Sequence, residues 1–101
     1  MQRLSQTQIQ TQLKTCPTWH LSSHKKSIHQ TLRMKDFLAA VDLIQRITPV
    51  AQRLDHHPDL HLTGYRNLKI ELSTHSLGGL SKKDFLLAAK IEKLPKKLKI
   101  L

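Results

Sequence analysis

Apolar residues recur at helical spacing over the middle of the chain, in the longest such pattern it contains. The stripe begins after Asp36 and comprises Phe37, Ala40, Val41, Ile44, Ile47, Ala51 and Leu54. Pro49 lies inside it and deletes one backbone hydrogen bond, so we expect a kink there or a helix that restarts. Pro58 pushes the preceding residue out of the helical region, which predicts that the helix ends at His56-His57.

Two shorter helices begin with the same local pattern. Ser5 and Gln8 can form a capping box, and Leu4 can pack on Ile9; Pro17 limits this first helix. The stretch 80–85 repeats the pattern with Ser81 and Asp84, and that helix is expected to run to about residue 94, before Pro95. The sequence therefore predicts one helix at each end and a long helix between them.

Period-two alternation predicts four short strands, at 18–21, 27–33, 59–63 and 68–75. The element order is then α-β-β-α-β-β-α, which indicates an α+β fold. Three helices would pack on one face of a four-stranded antiparallel sheet. We expect one domain over residues 1–101, with a basic tail at 95–101. Exposed sheet edges favour a homo-oligomer formed edge to edge.

Cysteine content and hydropathy limit the cellular setting. The chain has one cysteine, Cys16, which excludes an internal disulfide and a cysteine-based zinc site and suits a reducing compartment. Apolar runs are too short to span a membrane, and the first residues do not resemble a signal peptide. We therefore expect a cytoplasmic protein.

The formal net charge of +10 has two explanations. A basic domain gains affinity for nucleic acid by releasing counterions from phosphates. However, no aromatic residues are interleaved with the basic ones, and no nucleic-acid-binding motif is present. The sequence favours a solvated basic surface plus a lysine-rich tail, and an acidic protein partner stays open.

Histidines concentrate between residues 55 and 84, which holds four of the chain's seven. His56 and His57 fall where the long helix ends, and His75 falls where the last strand ends. Side chains at element ends can converge on a ligand, and imidazole can give and take protons near neutral pH. Adjacent histidines point in different directions and lack the spacing of a zinc motif, so no metal is predicted. The alternatives are an acid/base site and ordinary helix-terminal histidines.

Other residues of this segment also have two interpretations. Asp84 can be the capping-box acid or a ligand-binding residue. Ser73, Thr74 and Ser76 offer hydroxyl and backbone groups suited to the amide edge of a small molecule. Trp19 can lie in the core or form one wall of a pocket for a flat heterocycle. No Ser or Cys lies in a nucleophile motif, and the double glycine is not a phosphate-binding loop.

Taken together, these residues resemble the pterin-4a-carbinolamine dehydratase family, also known as dimerisation cofactors of a homeodomain transcription factor. The resemblance extends from about residue 4 to residue 94 and is strongest in one set of motifs. These are Asp55-His56-His57-Pro58-Asp59, Tyr65, Thr74-His75, Gly79-Leu80-Ser81 and Asp84-Phe85.

The resemblance implies dimers or tetramers and removal of water from 4a-hydroxytetrahydropterin, giving quinonoid dihydropterin during recycling of the tetrahydropterin cofactor. It implies acid/base roles for His56 and His75, and positioning or polarisation of the pterin by His57. Neither a metal nor another cofactor is implied, since the pterin is the substrate. The expected pocket residues are Gln52, Asp55, Pro58, Ser73, Thr74, Ser76 and Asp84.

This chain departs from the family pattern at Gln52, where many members carry a glutamate. A neutral amide can hydrogen-bond but cannot raise the pKa of a histidine as a carboxylate does. The competing hypothesis is therefore a catalytically degenerate member that acts as a protein-binding or assembly factor.

Overall fold

The protein, described here for residues 1–100 of a computed structural model, is an α+β fold with the predicted order of elements. Its helices and strands are α1 (Gln6–Leu13), β1 (His20–Leu21), β2 (Ile28–Arg33), α2 (Phe37–Leu54), β3 (Asp59–Thr63), β4 (Asn67–Leu72) and α3 (Lys82–Glu92). None of the helices within residues 1–100 combines the length and the apolar character needed to cross a membrane.

The long helix begins where the sequence indicates and ends at Leu54, two residues before His56. The Asp36 carboxylate accepts a hydrogen bond of 2.8 Å from the amide of Ala39 and so caps α2. Asp55 follows the last turn in the left-handed conformation, with φ of 50°. The helix does not restart at Pro49, which lies within one continuous α-helix. An exposed proline is tolerated there because only one backbone bond is lost.

The sheet has the order β1-β2-β4-β3, and every neighbouring pair is antiparallel. One face of β4 carries Leu68, Ile70 and Leu72, which are fully buried, whereas Lys69 and Glu71 on the other face are half-buried. Apolar residues of α2 and α3 complete the core against the buried face. Trp19 is buried in this core.

The segment after β4 differs from the prediction. The strand ends at Leu72 and not at His75, because the chain turns back so that Thr74 bridges to Gly79. Residues His75–Leu77 form a single 3₁₀ turn. Gly78 closes it with φ of 61°, a conformation in which glycine has no steric penalty. This tight reversal brings the end of β4 against the start of α3.

Part of the basic tail is structured. The carbonyl of Lys97 accepts a hydrogen bond from the amide of Lys35, and the amide of Lys99 donates to the carbonyl of Arg33. The tail therefore lies along the chain that follows β2. Leu101, its last predicted residue, lies outside the described residues.

Candidate active site

The buried centre of the site joins the end of α2 to the start of α3. His56 is only 8% exposed, and its Nε2 lies 2.5 Å from Oδ1 of Asp84. Asp84 occupies the first turn of α3 and is fully buried. A buried carboxylate needs several hydrogen bonds to offset its lost hydration. The structure supplies them from three separate parts of the chain.

The second oxygen of Asp84 is also bonded. Oδ2 accepts a 2.8 Å hydrogen bond from the Thr74 hydroxyl and a 2.9 Å bond from the amide of Ser81. The hydroxyls of Thr74 and Ser81 lie 2.7 Å apart. Because the single hydroxyl proton of Thr74 is donated to Asp84, the hydroxyl of Ser81 donates to Thr74. Asp84 therefore caps α3, as one interpretation of its position predicts, and it also binds His56.

This network sets the tautomer of His56. An ionised Asp84 accepts at both oxygens, so Nε2 of His56 carries the proton that lies between the two side chains. Within residues 1–100, Nδ1 of His56 has no hydrogen-bond partner. This nitrogen is not one of the fully enclosed atoms without a partner in that range, so it is not completely shielded from solvent. His56 thus has one nitrogen held by a carboxylate and the other free for proton exchange, as in the His–Asp pairs of hydrolases.

A groove of about 260 Å³ lies beside this network. Its lining includes Ser73, Thr74 and His75 from the segment after β4. The remaining lining residues are His24, Lys26, Ser27, Asp59, Glu71, Gly78 and Gly79. Pockets for drug-sized ligands measure about 300–1,000 Å³, so this groove suits a smaller molecule.

The three predicted histidines have different environments. The side chain of His75 is 76% exposed, lines the groove, and has its Nε2 3.8 Å from Oδ2 of Asp59. His56 does not line the groove and connects to it only through Asp84 and Thr74. His57 is exposed, and its Nε2 lies 2.6 Å from Oε1 of Gln52. The structure therefore brings one imidazole to the groove and a second one behind it.

The remaining predicted residues surround this centre without lining the groove. Asp55 is the exposed residue that follows α2, and Pro58 is half-buried between the histidine pair and β3. Ser76 is exposed in the 3₁₀ turn. Asp84 is enclosed, so its contacts are with His56, Thr74 and Ser81 and not with the groove.

Sequence reasoning missed one wall of the groove, which comes from the turn between β1 and β2. The pairing of Ile28 with Leu72 places this turn next to the residues that follow β4. The hydroxyl of Ser27 donates a 2.6 Å hydrogen bond to Glu71, and this bond lowers the pKa of that carboxyl group. Only the strand order could have identified these residues, because no motif marks the turn.

Comparison with known proteins supports the family assigned from the motifs. The family model described as pterin 4 alpha carbinolamine dehydratase matches residues 2–94. A mitochondrial pterin-4-alpha-carbinolamine dehydratase 2 from Arabidopsis thaliana is 38% identical over 93% of this chain. The match spans 51% of that relative, so this chain corresponds to about half of its length. A protein from Sulfolobus acidocaldarius, named a putative dehydratase of this type, is 38% identical, with 91% of this chain and 98% of the relative covered.

Solved structures agree with the fold. A transcriptional coactivator/pterin dehydratase from Brucella melitensis superposes with a TM-score of 0.83 at 27% identity, covering 89% of this chain and 95% of that one. A pterin dehydratase-like RuBisCO assembly factor of the alpha-carboxysome superposes with a TM-score of 0.62 over 74% of this chain and 86% of that one. At 12% identity, this second likeness shows the fold alone. The resemblance in the motifs is confirmed, and the chain belongs to the pterin 4 alpha carbinolamine dehydratase family.

Proposed function

We propose that this protein catalyses the dehydration of a 4a-hydroxytetrahydropterin to the quinonoid dihydropterin. In this reaction the hydroxyl group on C4a takes up a proton and leaves as water. The N5–H bond gives up its proton, and the nitrogen electron pair forms the C4a=N5 double bond. The step involves no net oxidation, so its chemistry requires neither a redox cofactor nor a metal.

The reaction needs one proton donor and one proton acceptor near the pterin ring. His75 lies in the groove and is the candidate for direct contact with the ring. His56 is the candidate for the second transfer, as the family resemblance implies, and its Nε2 is connected to the groove through Asp84 and Thr74. Each positioned proton transfer typically contributes roughly 10²–10⁴-fold to a rate. We assign His57 to positioning of the pterin, as the family resemblance implies.

The single observation that carries this proposal is the hydrogen-bonded chain from His56 through Asp84 to Thr74, the neighbour of His75. Thr74 is both a member of this chain and a lining residue of the groove. His56 is therefore connected by two hydrogen bonds to the surface on which the substrate would lie.

A dehydration assay that follows 4a-hydroxytetrahydropterin spectroscopically tests the proposal. We expect wild type to exceed the spontaneous rate, and His75→Ala to reduce kcat by roughly 10²–10⁴-fold. His61→Ala is the matched control, because His61 is an exposed histidine on β3 outside the groove. A wild-type rate equal to the spontaneous rate would refute the enzyme assignment.

A second candidate function is binding of an acidic protein partner. The observations that favour it are the net charge of +10 and two apolar side chains at the start of α2, Phe37 and Leu38, which are 55% and 76% exposed. Genetic rescue separates the two functions. If catalysis is the biological role, a His75→Ala allele fails to replace the wild-type gene, whereas a purely protein-binding role is rescued fully by that allele.

A further inference from the structure

A second groove continues from the candidate active site. It has a volume of about 390 Å³ and shares His24, Lys26, Gly78 and Gly79 with the first groove. Beyond these it is lined by Arg3, Leu4, Ser5, Gln6, Ile9, Lys25 and Leu80. A ligand in the first groove would therefore have open space along the turn between β1 and β2, towards the N-terminal segment.

The two grooves differ in charge. The first contains Asp59 and Glu71. The second has three basic side chains, Arg3, Lys25 and Lys26, of which Lys26 also lines the first, and none of its described lining residues is acidic. Among residues 1–100 these three cationic groups form no ion pair with a carboxylate. Their charges are therefore available to a ligand.

The local structure holds Arg3 at the groove and orders the backbone of the turn that carries Lys25 and Lys26. The amide of Leu4 donates a 2.8 Å hydrogen bond to the carbonyl of Leu80, which holds the N-terminal segment against the loop before α3. The side chain of Arg3 packs over Gly79, where a Cβ atom would lie only 2.7 Å from Cδ of Arg3. A glycine is needed at this position for Arg3 to lie across the loop. On the opposite wall, Nδ1 of His24 accepts a 3.1 Å hydrogen bond from the amide of Lys26.

We infer that the second groove binds an anionic group, a phosphate or a carboxylate, on the side chain of the pterin substrate. This inference rests on the proposed dehydratase function. The side chain of a natural pterin is attached at C6, which is bonded to the reacting N5. A ring placed with its reacting edge near His75 can direct that side chain past the shared residues into the cationic groove. Arg3 and Lys25 then determine specificity, whereas His75 and His56 carry the chemistry.

Calorimetric titration with three pterins that carry no 4a-hydroxyl group, and so cannot be dehydrated, tests the inference. The probes are 7,8-dihydrobiopterin, which has a neutral side chain, 7,8-dihydroneopterin monophosphate and pterin-6-carboxylate. We expect wild type to bind at least one anionic pterin about tenfold more tightly than the neutral one, as two solvent-exposed ion contacts would provide. High salt should reduce this preference, because it screens exposed charges.

Two double variants with the same net charge test which basic residues cause the preference for an anionic pterin. Arg3→Gln with Lys25→Gln should bring the affinity ratio close to one. Lys14→Gln with Lys90→Gln removes two exposed lysines outside both grooves and should retain it. If only the monophosphate is preferred, the anionic group that the second groove binds is a phosphate. If only pterin-6-carboxylate is preferred, it is a carboxylate.

Equal affinity of wild type for all three pterins, or a preference that survives in Arg3→Gln with Lys25→Gln, would overturn the inference. The dehydration assay on the same samples separates this failure from failure of the proposed function. An active enzyme without the preference refutes only the anionic side chain. An inactive protein that binds none of the three pterins refutes both.

Discussion

Asp84 illustrates how much one buried side chain contributes to stability, because both of its carboxylate oxygens form hydrogen bonds inside the protein. We expect Asp84→Asn to lower the free energy of unfolding by about 1–3 kcal/mol, since a neutral amide replaces the carboxylate and loses its charge-assisted hydrogen bonds. Urea unfolding measures this. Asp42→Asn is the control, because Asp42 forms a surface pair with Arg46 and its loss should cost less than about 1 kcal/mol. Equal effects of the two substitutions would contradict the buried network.

The Ser27–Glu71 hydrogen bond predicts a dependence of stability on pH. The bond lowers the pKa of Glu71 in the folded state below its ordinary value of 4.5. Its stabilisation is therefore present above pH 4.5 and is lost as the pH falls through the folded-state pKa. Ser27→Ala should cost about 1 kcal/mol at neutral pH and progressively less in acid. Unfolding curves at several pH values test this, and a cost that does not decline in acid would exclude the bond as its cause.

At the scale of the elements, Pro49 allows the cost of a proline inside α2 to be measured. This proline is exposed and removes a donor from the helix interior. Pro49→Ala should restore the bond and raise the free energy of unfolding by about 1–3 kcal/mol. Gln45→Ala, one turn earlier and also exposed, should change it by less than about 0.5 kcal/mol. Destabilisation by Pro49→Ala would mean that the proline ring makes a contact that the helix needs.

Elements with strong local signals were predictable from the sequence. The capping residues Ser5 and Ser81 and the alternation of β4 each depend on neighbours within a few positions. The 3₁₀ turn at His75 was not predictable, because it depends on the bridge between Thr74 and Gly79. The wall contributed by the β1–β2 turn depends on the pairing of strands far apart in the chain. Such contacts have no period or motif in a single sequence.

The candidate site was likewise only partly predictable from the sequence. The motifs predicted His56, His75 and Asp84 as members of one site, and the structure links His56 to Asp84 directly. They did not indicate that Asp84 would be enclosed or that His57 would pair with Gln52. The enclosure of Asp84 follows from the relative placement of α2 and α3, which packing of the core determines. The contact between His57 and Gln52 is instead local to the end of α2, where the two residues lie five positions apart.

At the scale of the whole molecule, the sheet predicts self-association. Both outer strands, β1 and β3, have one unpaired edge within residues 1–100, and β1 is only two residues long. An edge with free backbone donors and acceptors is a template for another strand. We expect light scattering coupled to size exclusion to show a dimer or a larger homo-oligomer. A mass of one chain, 11.6 kDa, at every concentration tested would contradict edge-to-edge association.

The position of Arg3 has a practical consequence for handling the protein. This side chain belongs to the segment ahead of α1 and forms part of the wall of the cationic groove. An affinity tag fused ahead of Met1 would hold its own imidazoles or carboxylates beside that wall, where they could compete with a ligand. A tag attached after Leu101 would follow Ile100, which is 90% exposed, so purification through that terminus keeps the groove unobstructed.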